Sequence, residues 1–258
     1  MAWEFWIRLH SKGVFPVTDS LRPLIDSPEG VQAAEELIRA SRWLSPNAET
    51  AGLFENWETF SEGSTFCNVG WGGSQKYFRR EESPIRDSVI VGLTPGGDFG
   101  GAPMPLSYFN WGWNFTVSAT TKHPQLCAEF AKFATTGEAS IASVRARDGF
   151  FDPFLESHYE DDGIIETYTA SFLERHRTAM ATAIPDFYLV GRGEYFDLLG
   201  RFLARANRGK LSAKAALSTV AKGWELITER HGRDSQVAQW RFLKERYPGS
   251  IRKALRSS

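Results

Sequence analysis

The chain has 258 residues, of which 42% are hydrophobic and 24% are charged, and this composition is typical of a globular protein with one large domain or two lobes. Its 30 Lys and Arg against 31 Asp and Glu give a net charge of -1, which argues against a uniformly basic nucleic-acid-binding protein. No stretch reaches the ~18 consecutive apolar residues that a membrane-spanning helix requires.

The first half of the chain is predicted to mix helices with a few strands. A short apolar helix occupies the first ten residues, and a longer helix follows Ser27, which we predict to be its N-cap because Pro28 and Glu29 come next. A further helix is expected over 51–62 and a short one near 74–80. Strands are predicted over 65–71 and 88–93, followed by a glycine- and proline-rich loop over 96–105.

The second half is predicted to be mostly helical. After a strand over 113–118, helices begin at Pro124 and after Gly137. Longer helices are expected over 164–182 and 193–207, then after an N-cap at Ser212, and last between Asp234 or Ser235 and Pro248. Helices and strands in mixed order indicate an α/β protein, although the strands are too few to complete a sheet.

Known catalytic and metal-binding motifs are missing from the sequence. The five histidines do not have the spacing of metal ligands, and the glycines of 96–101 do not match a nucleotide-binding loop. Cys67 and Cys127 are far apart and outside any metal-binding pattern, so we predict two buried free thiols rather than a disulfide. Neither a metal nor a cofactor is predicted.

The charge is unevenly distributed along the chain. The segment from Arg201 onward contains 14 Lys or Arg and 4 Asp or Glu, which gives it a net charge of +10. We predict that these are solvated faces of amphipathic helices, since they alternate with apolar positions at helical spacing. A nucleic-acid-binding module is the less favoured alternative.

Eight of the nine tryptophans fall into two groups, and Trp6 is left unassigned. Trp43, Trp57, Trp224 and Trp240 lie on helical stripes and are predicted to pack in a core. A second set of aromatic residues lies at element ends or in loops, beside Gly, Asn, Asp or Pro: Trp3, Trp71, Trp111, Trp113, Tyr188 and Tyr195. Flat aromatic faces beside short polar side chains suit a sugar ring. A glycoside hydrolase that uses two of Asp152, Asp186 and Glu194 is the alternative.

Several segments, taken in order, resemble the family 1 extracellular solute-binding proteins, the sugar-capturing receptors of ABC importers that include maltose-binding protein. They include FSEGSTFCNVGW at 60–71 and GFFDPFLESHY at 149–159. The remaining matching segments are 5–13 with 25–31, 113–118 with 121–130, 183–188 with 194–195, and 209–217.

This resemblance implies a periplasmic binding protein-like, two-lobe α/β fold. The matching pattern begins in the middle of the family's sequence, so we expect a carboxy-terminal portion, with mostly the second, helix-rich lobe and a strip of the first. The implied organisation is second lobe over 1–109, hinge crossing and first-lobe strip over 110–152, and a helical return to the second lobe over 153–258. The strip should expose four apolar side chains that a first lobe would cover: Phe115, Leu126, Phe130 and Phe133.

The function that the resemblance implies is capture of a sugar, polyol or oligosaccharide between two lobes, without enzymatic chemistry. The partners would be the small carbohydrate and an ABC permease in the membrane, with no nucleic acid, and the full-length protein would be a monomer. It would be periplasmic or extracellular, although this chain begins without the apolar segment of a signal peptide. The implied ligand contacts are stacking residues Trp3, Trp71 and Tyr195, hinge-crossing residues Asn110, Trp111 and Trp113, and hydroxyl partners Asp152, Asp186 and Glu194.

Overall fold

A computed structural model describes residues 1–46, 48, 50–98, 103–108 and 114–255. It contains two compact units. Unit 1 comprises Met1–Leu44, Leu93–Asn110 and Thr178–Ser258, and unit 2 comprises Ser45–Gly92 and Trp111–Arg177. These boundaries differ from those of the segments 1–109, 110–152 and 153–258, whose assignment to lobes stays a prediction.

Helices dominate the described part of the chain. In chain order they are α1 (Ala2–Ser11), α2 (Pro28–Ser41), α3 (Leu53–Ser61), α4 (Ser74–Phe78), α5 (Pro124–Thr135), α6 (Gly137–Arg145), α7 (Asp162–Tyr168), α8 (Ala170–Thr182), α9 (Arg192–Asn207), α10 (Ala213–Arg230), α11 (Arg233–Lys244) and α12 (Gly249–Ala254). A 3-10 turn at Glu156–Glu160 precedes α7, and two short antiparallel strands, β1 (Gly97–Asp98) and β2 (Pro103–Met104), belong to unit 1.

Two predicted helix caps are confirmed. The Ser27 hydroxyl accepts a hydrogen bond from the Gly30 amide at 3.2 Å, and the Ser212 hydroxyl accepts one from the Ala215 amide at 3.1 Å. The helix predicted over 164–182 is interrupted instead, because Thr169 has a φ of 80° and separates α7 from α8. The prediction that Asp234 or Ser235 caps the last long helix is wrong, since α11 begins at Arg233 after Gly232.

Unit 1 has an aromatic core. Trp6 and Trp224 both pack against Phe187, with ring centroids 5.5 Å and 5.3 Å away, and Trp240 is fully buried nearby. His10 is enclosed in the same core, where one ring nitrogen lies 2.7 Å from the Trp6 carbonyl and the other 3.0 Å from the Tyr247 hydroxyl. Burial lowers the pKa of His10 to about 4.

Unit 2 has a smaller core. One part, around Tyr168 on α7, joins Val144, Ile164, Phe172 and Leu173. In the other part, the buried Trp57 ring on α3 lies 5.4 Å from Phe150 and 5.9 Å from Trp71 between ring centroids. Burial of Trp57, Trp224 and Trp240 confirms their predicted packing. Trp43 is 84% exposed, so its prediction is wrong: α2 ends at Ser41, and the indole lies beyond the buried stripe.

The predicted strands over 65–71 and 88–93 are wrong, and the described residues 114–118 of the third are not a strand either. Several of their apolar side chains face solvent, including Ile90 and a completely exposed Phe66. Strand propensity reflects packing on a paired, half-buried surface, and these segments pair with no neighbour in the part of the chain that the structure describes.

The exposed apolar strip is confirmed in unit 2. None of the residues of α5 is buried, and Leu126, Phe130 and Phe133 on this helix, with Phe115 before it, all face solvent. Cys67 and Cys127 are free thiols as predicted, but Cys67 is exposed and Cys127 only half-buried. Among the described helices, none combines the length and apolarity that crossing a membrane demands.

Candidate functional site

Unit 2 brings two predicted ligand contacts together. Trp71 lies in the loop just before α4. The residue is 41% exposed, and the buried side of its ring packs on Trp57 and Phe150. Its side chain is close enough to the carboxylate of Asp152 to lower the pKa of that group. Gly72 permits this approach, because a Cβ there would lie 3.0 Å from Asp152 Oδ2 and 3.0 Å from the Phe172 ring. An exposed aromatic face is thus held in one orientation beside a carboxylate.

The Asp152 carboxylate is surrounded by hydrogen-bond donors. The Tyr168 hydroxyl lies 3.0 Å from its Oδ1 and 2.7 Å from the Phe151 carbonyl, and the nearby Gly73 amide also lowers the pKa of Asp152. Desolvation raises the pKa of Asp152 to about 6, against the opposing effect of these donors and of the Lys76 charge. Near neutral pH the group is an anion that can accept hydrogen bonds from hydroxyl groups.

Lys76, which the sequence analysis did not select, completes this cluster. Its ammonium donates to the Ala146 carbonyl at 2.8 Å and lies 4.9 Å from the centroid of the Tyr168 ring. The side chain is buried, and this burial lowers the pKa of Lys76 to about 8 despite the nearby charges of Asp152 and Asp148. Nothing in the local sequence distinguishes it from the surface lysines, because its partners come from distant segments.

Unit 1 contains a second cluster around Trp3 on α1. This indole is half-exposed and lies 6.0 Å from the Tyr108 ring between centroids. The Arg192 guanidinium, at the start of α9, lies 6.0 Å from the Trp3 ring centroid and 4.9 Å from that of Phe196. Aromatic rings and a planar donor therefore adjoin one another on this unit.

Asp186 positions Arg192. The aspartate is completely buried, and its Oδ2 accepts from Arg192 Nε at 2.8 Å and from a second guanidinium nitrogen, while Oδ1 accepts from the Phe187 amide at 2.6 Å. The predicted hydroxyl partner is therefore used inside the protein. The ion pair with Asp186 holds the partly exposed guanidinium of Arg192 beside Trp3. No sequence motif indicates this arginine.

Two other predicted contacts of unit 1 are engaged elsewhere. The Tyr195 ring is buried, and its hydroxyl lies 2.8 Å from that of Thr228, so no face of the ring is free to stack on a ligand. Both carboxylate oxygens of Glu194 have partners, since Oε1 lies 2.8 Å from His231 Nε2 and Oε2 pairs with Arg230. Asn110, Trp111 and Trp113 lie outside the described residues.

In the described ranges, no group of three or more His, Cys, Asp or Glu residues is arranged to hold a metal ion. The two clusters instead consist of aromatic rings and hydrogen-bonding groups, the composition of a site for a polar organic molecule.

Comparison with solved structures shows which fold carries these clusters. Maltose-bound MalE3 of T. maritima superposes with a TM-score of 0.71 and 19% identity over 86% of this chain and 56% of that chain. The solute-binding protein of an ABC transporter from Agrobacterium vitis S4, with bound D-mannitol, superposes with a TM-score of 0.70 and 17% identity over 90% of this chain and 58% of that chain. The chain has the fold of ABC solute-binding proteins.

Sequence comparison points in the same direction. A protein of Deinococcus radiodurans described as a "Probable ABC transporter-binding protein" is 24% identical over 162 residues, which are 62% of this chain and 37% of that protein. No protein-family model matches the chain. The chain thus spans between one third and three fifths of the length of these relatives. The periplasmic binding protein-like fold, predicted as truncated, is confirmed.

Proposed function

We propose that this chain is a carboxy-terminal portion of a substrate-binding component of an ABC importer, and that the component captures a sugar, a polyol or an oligosaccharide. The observation that carries the proposal is the exposed Trp71 face, oriented by Asp152, in a chain with a solute-binding-protein fold. The C–H face of a sugar ring stacks on an indole while a carboxylate accepts from its hydroxyls. The Trp3 and Arg192 cluster supports the same ligand class.

Binding without turnover is favoured over glycoside hydrolysis. A hydrolase needs a carboxylic acid and a second carboxylate on either side of the scissile bond. Within unit 1 the two candidates are already used, Asp186 by Arg192 and Glu194 by Arg230 and His231. The relatives' names describe binding proteins, and nothing in the comparisons supports the hydrolase alternative.

The cellular setting belongs to the same proposal. In a periplasmic or extracellular compartment, two lobes would close around the ligand and the closed protein would dock on a membrane permease, the mechanism that the resemblance implies. A monomeric solute receptor needs neither a cofactor nor a nucleic acid.

The test is a ligand screen on the protein restored to the full length of its relatives, because closure needs two lobes and this chain by itself should bind weakly or not at all. Thermal shift over a panel of sugars and polyols that includes maltose and D-mannitol, followed by calorimetric titration of any hit, should find at least one saturable ligand. Trp71→Ala should weaken that ligand about tenfold or more, because the stacking face is lost. Trp43→Ala is the matched control, since Trp43 is a more exposed tryptophan outside both clusters.

Two results would contradict the proposal. One is release of a chromogenic aglycone from glycosides by the purified chain, which would indicate an enzyme. The other is an affinity that falls equally in Trp71→Ala and Trp43→Ala, which would remove the unit 2 cluster from the site. Trp71→Phe separates two causes, because it keeps a stacking ring but loses the polar N–H group beside Asp152.

A further inference from the structure

A separate cavity of about 850 Å³ lies within unit 1. One wall is the segment 183–188, through Ala183, Pro185 and Tyr188, and the opposite wall comes from α11 and the residues just after it. Neither Trp3 nor Arg192 lines it. Its volume lies within the range of ordinary small-molecule sites, ~300–1,000 Å³.

The α11 wall is a single helical face. Ser235, Ala238, Gln239 and Phe242 follow the i, i+3, i+4, i+7 spacing, and Arg246 continues the same side beyond the helix. Gln239 is fixed in place, because its Oε1 accepts from the Val190 amide at 3.2 Å. Val190 lies two residues after the segment 183–188. The hydrogen bond therefore links α11 to that segment and holds the two walls of the cavity together.

Two aromatic rings of the cavity are open to solvent. Phe242 is 59% exposed and Tyr188 is 49% exposed, although both adjoin a well-packed core. Half-exposed aromatic rings on both walls of a cavity offer apolar contact to a planar or apolar group. Burial of either ring by a ligand would remove apolar surface from water.

Arg246 supplies a charge at this site. Its guanidinium carbon lies 4.3 Å from the centroid of the Phe242 ring, so the cation stacks on the ring. Stacking occupies the face of a guanidinium and leaves the N–H groups of its edge available for a carboxylate. Among the described residues, no carboxylate forms an ion pair with it. The region from Arg201 onward carries a net charge of +10, which also attracts anions.

We propose that this cavity binds a small aromatic carboxylate, with the ring between Tyr188 and Phe242 and the carboxylate on Arg246. The site is distinct from the proposed carbohydrate site and does not depend on it. It assigns a role to part of the basic carboxy-terminal region, which the carbohydrate-binding proposal leaves unused. The aromatic rings and the Arg246 cation together define the ligand class. A neutral aromatic ligand would not need the cation, and an inorganic anion would not need the aromatic walls.

The test compares one acid with its neutral analogue on the full chain. Phenylacetate and phenylacetamide have the same ring, and only the first carries a charge. Ligand-detected NMR and calorimetry should show saturable binding of phenylacetate, about tenfold tighter than that of the amide. Arg246→Gln should abolish this preference, while Phe242→Ala should weaken both probes.

The control is Arg241→Gln, which removes an equal charge from an exposed residue of α11 that does not line the cavity. It should retain the preference for the acid. Because Arg241, Phe242 and Arg246 are all exposed, the variants should keep the wild-type circular dichroism spectrum and melting temperature.

Four results would overturn the proposal, and the first three concern the probes and the variants. They are absence of saturable phenylacetate binding up to about 10 mM, equal binding of the acid and the amide, and equal losses in Arg246→Gln and Arg241→Gln. The last would assign the effect to the diffuse charge of the basic region. Binding that mannitol or maltose displaces would also overturn it, because the probe would then occupy the carbohydrate site.

Discussion

Replacing Asp152 with Asn should change how the stability of unit 2 depends on pH. The carboxylate is largely withdrawn from water, and its pKa is raised from 3.8 to about 6. The folded chain therefore holds this proton more tightly than the unfolded chain does. The stabilising effect of the protonated group is complete below pH 3.8 and is lost as the pH rises through about 6.

The magnitude follows from the size of this shift. One pKa unit corresponds to 1.36 kcal/mol, so a shift from 3.8 to about 6 amounts to roughly 3 kcal/mol at most. Asn keeps an oxygen that can accept from the Trp71 indole and the Gly73 amide, but it cannot ionise. Relative to Asp152→Asn, the wild-type chain should lose up to ~3 kcal/mol of unfolding free energy between pH 4 and pH 7.

Urea unfolding at several pH values, followed by circular dichroism, measures this difference. Asp148→Asn is the matched control, because Asp148 is exposed and also acts on Lys76 through its charge. A constant difference between the wild-type chain and Asp152→Asn across this pH range would refute the reasoning. So would a pH dependence that Asp148→Asn removes to the same extent.

Four further predictions concern other parts of the chain. Because the pKa of His10 is lowered to about 4, its contribution to stability is complete above pH 6.5 and lost as the pH falls through 4, and His10→Gln should flatten that part of an acid-unfolding curve. Ser27→Ala should cost about 1 kcal/mol in urea unfolding through the lost cap of α2. Phe130→Glu should reduce aggregation measured by light scattering with less than about 0.5 kcal/mol change in stability, since the ring is exposed. Arg192→Lys should weaken a ligand that contacts the Trp3 cluster several-fold by calorimetry, because Lys cannot form the two-nitrogen contact with Asp186; an unchanged affinity would show that the ligand does not use this cluster.

Local signals account for most of the helices that the sequence predicts correctly. Ser27 and Ser212 cap helices because a cap is decided by residues within one turn. The spacing of apolar side chains likewise identifies the buried Trp224 and the apolar stripe of α5, whose exposure the family resemblance implied. The strand predictions fail for the complementary reason, because a strand needs a partner that the residues of 65–71 cannot supply themselves.

The sequence by itself determined where most helices begin, that Trp57, Trp224 and Trp240 lie on buried helical faces, and which family the order of segments resembles. Only the tertiary structure decided that Trp71 lies beside Asp152, that Asp186 forms an ion pair with Arg192, and that Tyr195 is buried in the core. Caps and helical stripes depend on neighbours a few residues away. The direction of a side chain in a site depends on packing between segments that are distant in the sequence, and no local pattern encodes that.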